Sequence, residues 1–243
     1  MPYRRLPNTD LARIRALETA IENEGIMENG KVVLSYKSVD DAKTFLPNFQ
    51  RVHQLYLQSF ETQVKSSKKY YLHLKNVRLY ISHFIQVLNL AVVRNEVKKD
   101  AKKLYGLTPG DFGVPDLSSE NSLLKWGESI INGEKERINN GGAPIYNPTI
   151  AKVSVHYNIF KESYYNQKVL QNNTSKNLAK ISLMRDRADE IILELWNQAE
   201  ETYKTLPTSL RIEKTQQLGV VYYCRPKEKK EIETNKLQKK IDF

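Results

Sequence analysis

Four histidines, a single cysteine and a run of carboxylates are the residues of this chain with the chemistry for metal binding or catalysis, and their spacing argues against both. None of His53, His73, His83 and His156 follows a glutamate by three positions. The Glu-x-x-His unit that carboxylate-bridged metal bundles place on one helix face is therefore missing. His-Glu-x-x-His and paired cysteines for zinc are missing too. Gly-Gly-Ala-Pro at 141–144 lacks the Gly-Lys-Ser/Thr of a phosphate loop and reads as a helix stop. Cys224 lies beside Tyr223 and Arg225 with no assignable histidine, so it reads as a packed residue rather than a nucleophile. The Asn172 and Asn173 sequons have no secretory leader ahead of them. Asp186, Asp189, Glu190, Glu194, Glu200 and Glu201 form an acidic stretch without a completed ligand set. A solvated face or an ion-pair partner for a basic neighbour is the expected role. The chain is therefore expected to be no enzyme and to use no cofactor or metal.

Placement of the cations says more. The 243 residues hold 38 Lys and Arg against 28 Asp and Glu, a net charge of +10. Between Lys65 and Lys103 stand ten bases (Lys65, Lys68, Lys69, Lys75, Arg78, Arg94, Lys98, Lys99, Lys102 and Lys103) against Glu96 and Asp100, a local excess of +8. These bases form two clusters on either side of the apolar run Ile81–Val93, and Arg4, Arg5, Arg13 and Arg15 form a third at the N-terminus. Basic patches interleaved with aromatic pairs such as Tyr70-Tyr71 and Tyr164-Tyr165 suit phosphates and stacked bases. They equally suit an acidic protein partner or an ordinary solubilising surface. The expected function is a non-enzymatic scaffold or interaction protein, with an RNA- or DNA-binding protein using residues 65–103 and the N-terminal arginines as the alternative.

The elements that position these residues follow from where glycine and proline are absent. Neither occurs between Pro47 and Gly106 or between Pro148 and Pro207. Each 58-residue gap would make about 87 Å of continuous helix. Within the gaps apolar side chains recur every three or four residues, as in packed or coiled-coil helices. Both stripes turn polar midway, at Gln63–Ser67 and Gln167–Thr174. A bend, a hydrogen-bonded layer or a break is possible there, and long bent helices are favoured. A shorter helix is predicted from an Asn8-Thr9-Asp10 cap to a Gly25 C-cap, and another from about Ser119 to Asn140. Residues 32–36 and 220–224 read as extended and are candidates to pair as a two-stranded ribbon. The expectation is thus all-α: an elongated up-and-down helical bundle over 1–225 with two long helices and that ribbon. Residues 226–243 would form a charged tail, disordered or a frayed helix.

The most apolar run, Ile81–Val93, is 13 residues long and carries His83, Gln86 and Asn89. That is short of the roughly 20 residues a membrane span needs. With one cysteine and no leader, a cytoplasmic protein is expected. The segments MPYRRLPNTD, LYISHFIQVLN, ADEIILELWN and LGVVYYCR resemble a family of basic helical proteins in Bacteroidota, over most of the chain. That resemblance implies a bacterial cytoplasmic helical protein and carries no activity or site residues.

Overall fold

A computed structural model describes residues 3–223. The expected C-terminal tail and Cys224 lie outside the described residues. The fold is all-α, with helices α1 (Asp10–Glu22), α2 (Tyr36–Val93), α3 (Glu120–Asn139), α4 (Ile150–Thr202) and α5 (Thr208–Gln217), and a 3-10 helix at Lys99–Tyr105. Four two-residue strands, β1 (Tyr3–Arg4), β2 (Met27–Glu28), β3 (Lys31–Val32) and β4 (Tyr222–Tyr223), complete it.

The two long helices are unbroken, α2 over 58 residues and α4 over 53. Their polar midsections cost the backbone nothing, because Gln, Ser and Thr keep their amide hydrogens and can satisfy themselves locally. Thr174, for example, donates its hydroxyl to the Leu170 carbonyl one turn back at 3.0 Å. On α4 the positions Val153, Phe160, Gln167, Thr174, Ile181, Ala188 and Leu195 recur every seventh residue, and each is buried. That is the repeat of a helix seam facing a neighbour.

α2 begins earlier than the glycine and proline pattern indicates. Ser35 caps it, accepting the Ser38 amide at 3.3 Å, and Pro47 sits inside the helix. An internal proline costs about 3 kcal/mol. Here Leu46 and Phe49 are buried on either side of it, and such side chains contribute roughly 1.5–3 kcal/mol each. Thr9 and Ser119 cap α1 and α3 as expected, each through its side-chain oxygen. Gly25 does not close α1. Asn23 does, its side chain donating to the Thr19 carbonyl at 2.9 Å.

The expected ribbon between 32–36 and 220–224 does not form, and two other ribbons take its place. β1 pairs antiparallel with β4, and β2 with β3. The second is a hairpin turning through Asn29 and Gly30, both at positive φ (52° and 75°), the residue pair that two-residue hairpins select. Ser35 and Tyr36 belong to the start of α2.

The chain forms two compact units. Unit 1 comprises Met1–Gln58 with Ser175–Phe243, and unit 2 comprises Ser59–Thr174. Leu17 and Ala20 of α1, Phe49 of α2, and Ile181, Leu195 and Trp196 of α4 form the core of unit 1. In unit 2, Val77, Ile81, Phe84 and Leu88 of α2 pack with Leu123 and Ile130 of α3 and with Val153 and Phe160 of α4. Two glycines inside α3 let its neighbours approach. A Cβ on Gly127 would lie 2.2 Å from the Tyr157 ring, and one on Gly133 would lie 2.6 Å from the Leu104 carbonyl oxygen.

Candidate functional site

In unit 1 several charges from segments far apart in sequence are spent on one another. Arg13 is buried and makes a two-pronged pair with Asp189, 2.8 Å on each prong. Asp10 accepts a second two-pronged pair from Arg185, also at 2.8 Å, and lies 3.6 Å from Arg13. Arg4 donates to Asn197 at 2.8 Å and to Glu200 at 2.9 Å. Glu200 also accepts the Tyr222 hydroxyl at 2.6 Å. Burial, and then this bond, push the Tyr222 phenol up to about 12. Glu190 pairs with Arg187 and Glu201 with Lys204. Within the acidic stretch 186–201, Asp189 and Glu200 are the counter-charges of the N-terminal Arg13 and Arg4, while Glu190 and Glu201 pair within α4 and its C-terminal turn. Arg13 leaves the set of cations available to a partner, and Arg4 is committed within the fold. Arg5 rests over the Tyr223 ring, 5.4 Å from its centre, and Arg15 is exposed.

Unit 2 behaves differently. Lys65, Lys68, Lys69 and Lys75 are exposed on α2 and make no ion pair among the described residues. At the far end of the helix Lys98 and Lys99 are exposed, Arg94 pairs with Glu96 at 3.1 Å, and Lys103 pairs with Asp100 at 2.8 Å on the open surface. Two of the ten bases hold the loop before α3 instead. Arg78 donates to the carbonyls of Leu117 and Ser118, both at 2.9 Å. Lys102 is fully buried, donates to the Asp111 carbonyl and lies under the Phe112 ring. Burial pushes its ammonium below the ordinary lysine range, against the opposing pull of the Asp111 carboxylate. Lys102 is thus a structural strap and not a surface cation.

The free lysines share their side of α2 with aliphatic side chains. Lys65, Leu72, Leu79, Gln86 and Val93 follow each other at seven-residue spacing, flanked by Lys68, Lys69, Lys75, His83 and Leu90. Leu72, Leu79, Leu90 and Val93 are 57, 63, 55 and 63% exposed. The buried seam of the same helix, Tyr70, Val77, Phe84 and Ala91, runs at the same spacing two residues out of phase. Two residues are about 200° of rotation at 3.6 residues per turn, so the helix carries two seams on opposite faces. The sequence reading identified only the inner one. The second seven-residue repeat was there to be read, but Lys65 and Gln86 interrupt it and only burial tells the two apart. Glu61 is the one acid on α2 within unit 2.

Of the tyrosine pairs, Tyr70 is buried against Phe160 and donates its hydroxyl to Glu120, leaving only Tyr71 exposed. Likewise Tyr164 is half-buried and Tyr165 exposed. Each pair offers one free ring rather than two.

The most buried ionic group of unit 2 joins Tyr105, Glu134 and Arg137. Arg137 donates to both Glu134 oxygens at 2.9 Å, to the Tyr105 hydroxyl at 2.7 Å and to the Ala143 carbonyl at 2.7 Å. Tyr105 donates to Glu134, which also accepts the Ile145 amide at 2.9 Å. Burial works against the charge of Arg137, yet the bonds to Glu134 hold its guanidinium above the ordinary range. The group ties the 3-10 helix, α3 and the loop to α4 together.

In unit 1 an open cleft of about 1370 Å³ lies along the β2–β3 hairpin, the end of α4 and Arg211. Glu200 and Glu201 on its wall are already paired with Arg4 and Lys204. His156 stacks on Tyr80 at 4.0 Å. Among the described residues no group of three His, Cys, Asp or Glu is arranged to hold a metal ion, and no helix is long and apolar enough to cross a membrane. Compared with known protein families, curated proteins and solved structures, the chain matches none.

Proposed function

We propose that the protein is a non-enzymatic interaction protein that engages an anionic macromolecule through the outer face of α2 in unit 2. The observation that carries this reading is the row Lys65, Lys68, Lys69 and Lys75, exposed and without an ion pair among the described residues, on a helix otherwise well packed. Holding like charges together costs stability through self-repulsion, whereas the N-terminal Arg4 and Arg13 of unit 1 are neutralised by Glu200 and Asp189. An anionic partner turns that cost into attraction. The single cysteine of the chain fits a cytoplasmic setting.

The test is binding of the full chain to polyglutamate and to mixed-sequence duplex RNA over a range of salt. Four neutralised phosphates correspond to a log–log slope of about −3.6 on a duplex. Reversing Lys65, Lys68, Lys69 and Lys75 to Glu should abolish binding with the helical circular dichroism unchanged. Salt-insensitive binding, or binding that survives the reversal, refutes the reading. Exposed Tyr71 beside Lys68 and Lys69 favours a second reading, a nucleic-acid protein that stacks a base there. Tyr71→Ala would then weaken RNA binding severalfold and leave polyglutamate untouched.

A further inference from the structure

The outer face of α2 and the segment after it have an order that narrows the partner. Lys65, Lys68, Lys69 and Lys75 stand towards one end, Leu72, Leu79, Leu90 and Val93 lie along the face, and the exposed Lys98 and Lys99 follow just past the helix end, where Arg94 and Lys103 are paired with Glu96 and Asp100. The span from Lys65 to Val93 is about 42 Å of helix. Leu72, Leu79 and Val93 repeat by seven with Lys65 and Leu90 flanks them, which is the geometry that receives knobs from a second helix. From this we infer that unit 2 docks an amphipathic helix of another protein, one with leucine-type residues along its middle and acidic residues towards both ends. The inference rests on the proposed reading of this face as an anion-binding surface, and names its partner.

Three observations select this occupant. Leucine and valine have no π-face to stack on a base and no group to bond its edge, so four exposed aliphatics within a nucleic-acid surface would be idle. A second copy of the chain is disfavoured by charge. Cations flank the apolar stretch at both ends, so self-pairing of this face in either direction sets lysine against lysine. Like charges across an interface suppress a wrong partner. Among the acids of unit 1, Asp10, Asp189 and Glu200 are already paired with Arg185, Arg13 and Arg4 and are not offered to a second copy. An acidic amphipathic helix satisfies both components of the face, burying the aliphatics and neutralising the free lysines.

The experiment is a titration of the full-length protein with two designed peptides of about 28 residues, long enough to span the face. Both carry glutamates clustered at each end. One has leucine at the heptad core positions and the other glutamine there. The leucine peptide should bind at least about tenfold more tightly, as befits a contact with buried aliphatic anchors. Leu79→Glu and Leu90→Glu, both at exposed positions, should reduce its binding by at least about tenfold while circular dichroism stays unchanged. Lys68→Glu with Lys69→Glu should weaken both peptides and flatten their salt dependence. Equal binding of the two peptides overturns the helix-docking inference and leaves the anion-binding reading intact. Binding of neither overturns both. Displacement of the leucine peptide by duplex RNA or by anionic phospholipid vesicles, with Leu79→Glu binding these as well as the parent does, also overturns it and hands the face to that ligand class.

Discussion

Units 1 and 2 draw on the same two long helices and treat charge in opposite ways. The described residues of unit 1 hold 15 Lys and Arg against 14 Asp and Glu; unit 2 holds 16 against 10. More telling than the totals is the location of the pairs. In unit 1, partners far apart in sequence meet across the helices, as Arg13 does with Asp189 and Asp10 with Arg185. In unit 2 the strongest ionic group is buried and fully bonded at Tyr105–Glu134–Arg137, whereas the lysines of α2 are left to solvent. A charge used to build a unit sits among partners; a charge available for recognition sits without one. That difference turns a net charge into a direction in which to look for a binding partner.

The contrast can be broken at its deepest point first. Glu134→Ala would leave Arg137 buried without its carboxylate and the Ile145 amide without an acceptor. A loss of about 3–5 kcal/mol is expected, read by urea denaturation. A loss below about 1 kcal/mol would mean that water replaces the carboxylate and that the group is no anchor. Next comes Asp10→Asn in unit 1, which removes the negative charge shared by Arg185 and Arg13 and one of the two oxygens that accept from Arg185. The expected cost is about 1.5–3 kcal/mol. It should change little with salt, since the Asp10 side chain is only 10% exposed. A cost that vanishes in high salt would show the ladder to be a screened surface feature.

Alkaline titration probes the unit 1 ladder from the other side. The Tyr222 phenol is raised to about 12 in the folded protein, against about 10 when unfolded. Its contribution to stability is whole below pH 10 and is lost as pH rises through about 12. Tyr222→Phe should remove one late-ionising phenol from the ultraviolet titration and lower stability at neutral pH by about 1 kcal/mol. If no late phenol disappears, Tyr222 does not bond Glu200 in solution. Tyr70 and Tyr105 in unit 2 are raised further still, chiefly by burial with a glutamate acceptor. Burial raises Tyr157 and Tyr203 as well, so the late phenols of Tyr70 and Tyr105 should survive the substitution among others. The smallest stability effect is expected at Lys68→Glu with Lys69→Glu, within about 0.5 kcal/mol. A larger loss would show these lysines to be structural.

Legibility differed between elements for physical reasons. Caps at Thr9 and Ser119 and the two long helices could be read because they depend on neighbours within one turn and on periodicity. The early start of α2 could not. Pro47 speaks for a boundary by its own chemistry, and only the burial of Leu46 and Phe49 outweighs it. The ribbon partners were misassigned because two-residue strands carry almost no pattern. Pairing of β1 with β4 depends on where the two ends of the described chain meet. Of the candidate basic residues, sequence placed Arg13 and Lys102 on a surface, and packing buried both. Nothing local to Lys102 indicates that the Asp111 carbonyl and the Phe112 ring will close over it.

By itself, the sequence determined the helical class, the presence of two long helices and the concentration of positive charge on residues 65–103, since composition and spacing act locally along the chain. Tertiary structure alone decided which of those charges are free. Some neutralisation is local, as in Lys103 with Asp100, but contacts between residues far apart in sequence, such as Arg4 with Glu200, are encoded by no local pattern. It also separated the two seams of α2. Both repeat every seven residues, and only the packing of the other helices makes Val77 core and leaves Leu79 open to a partner.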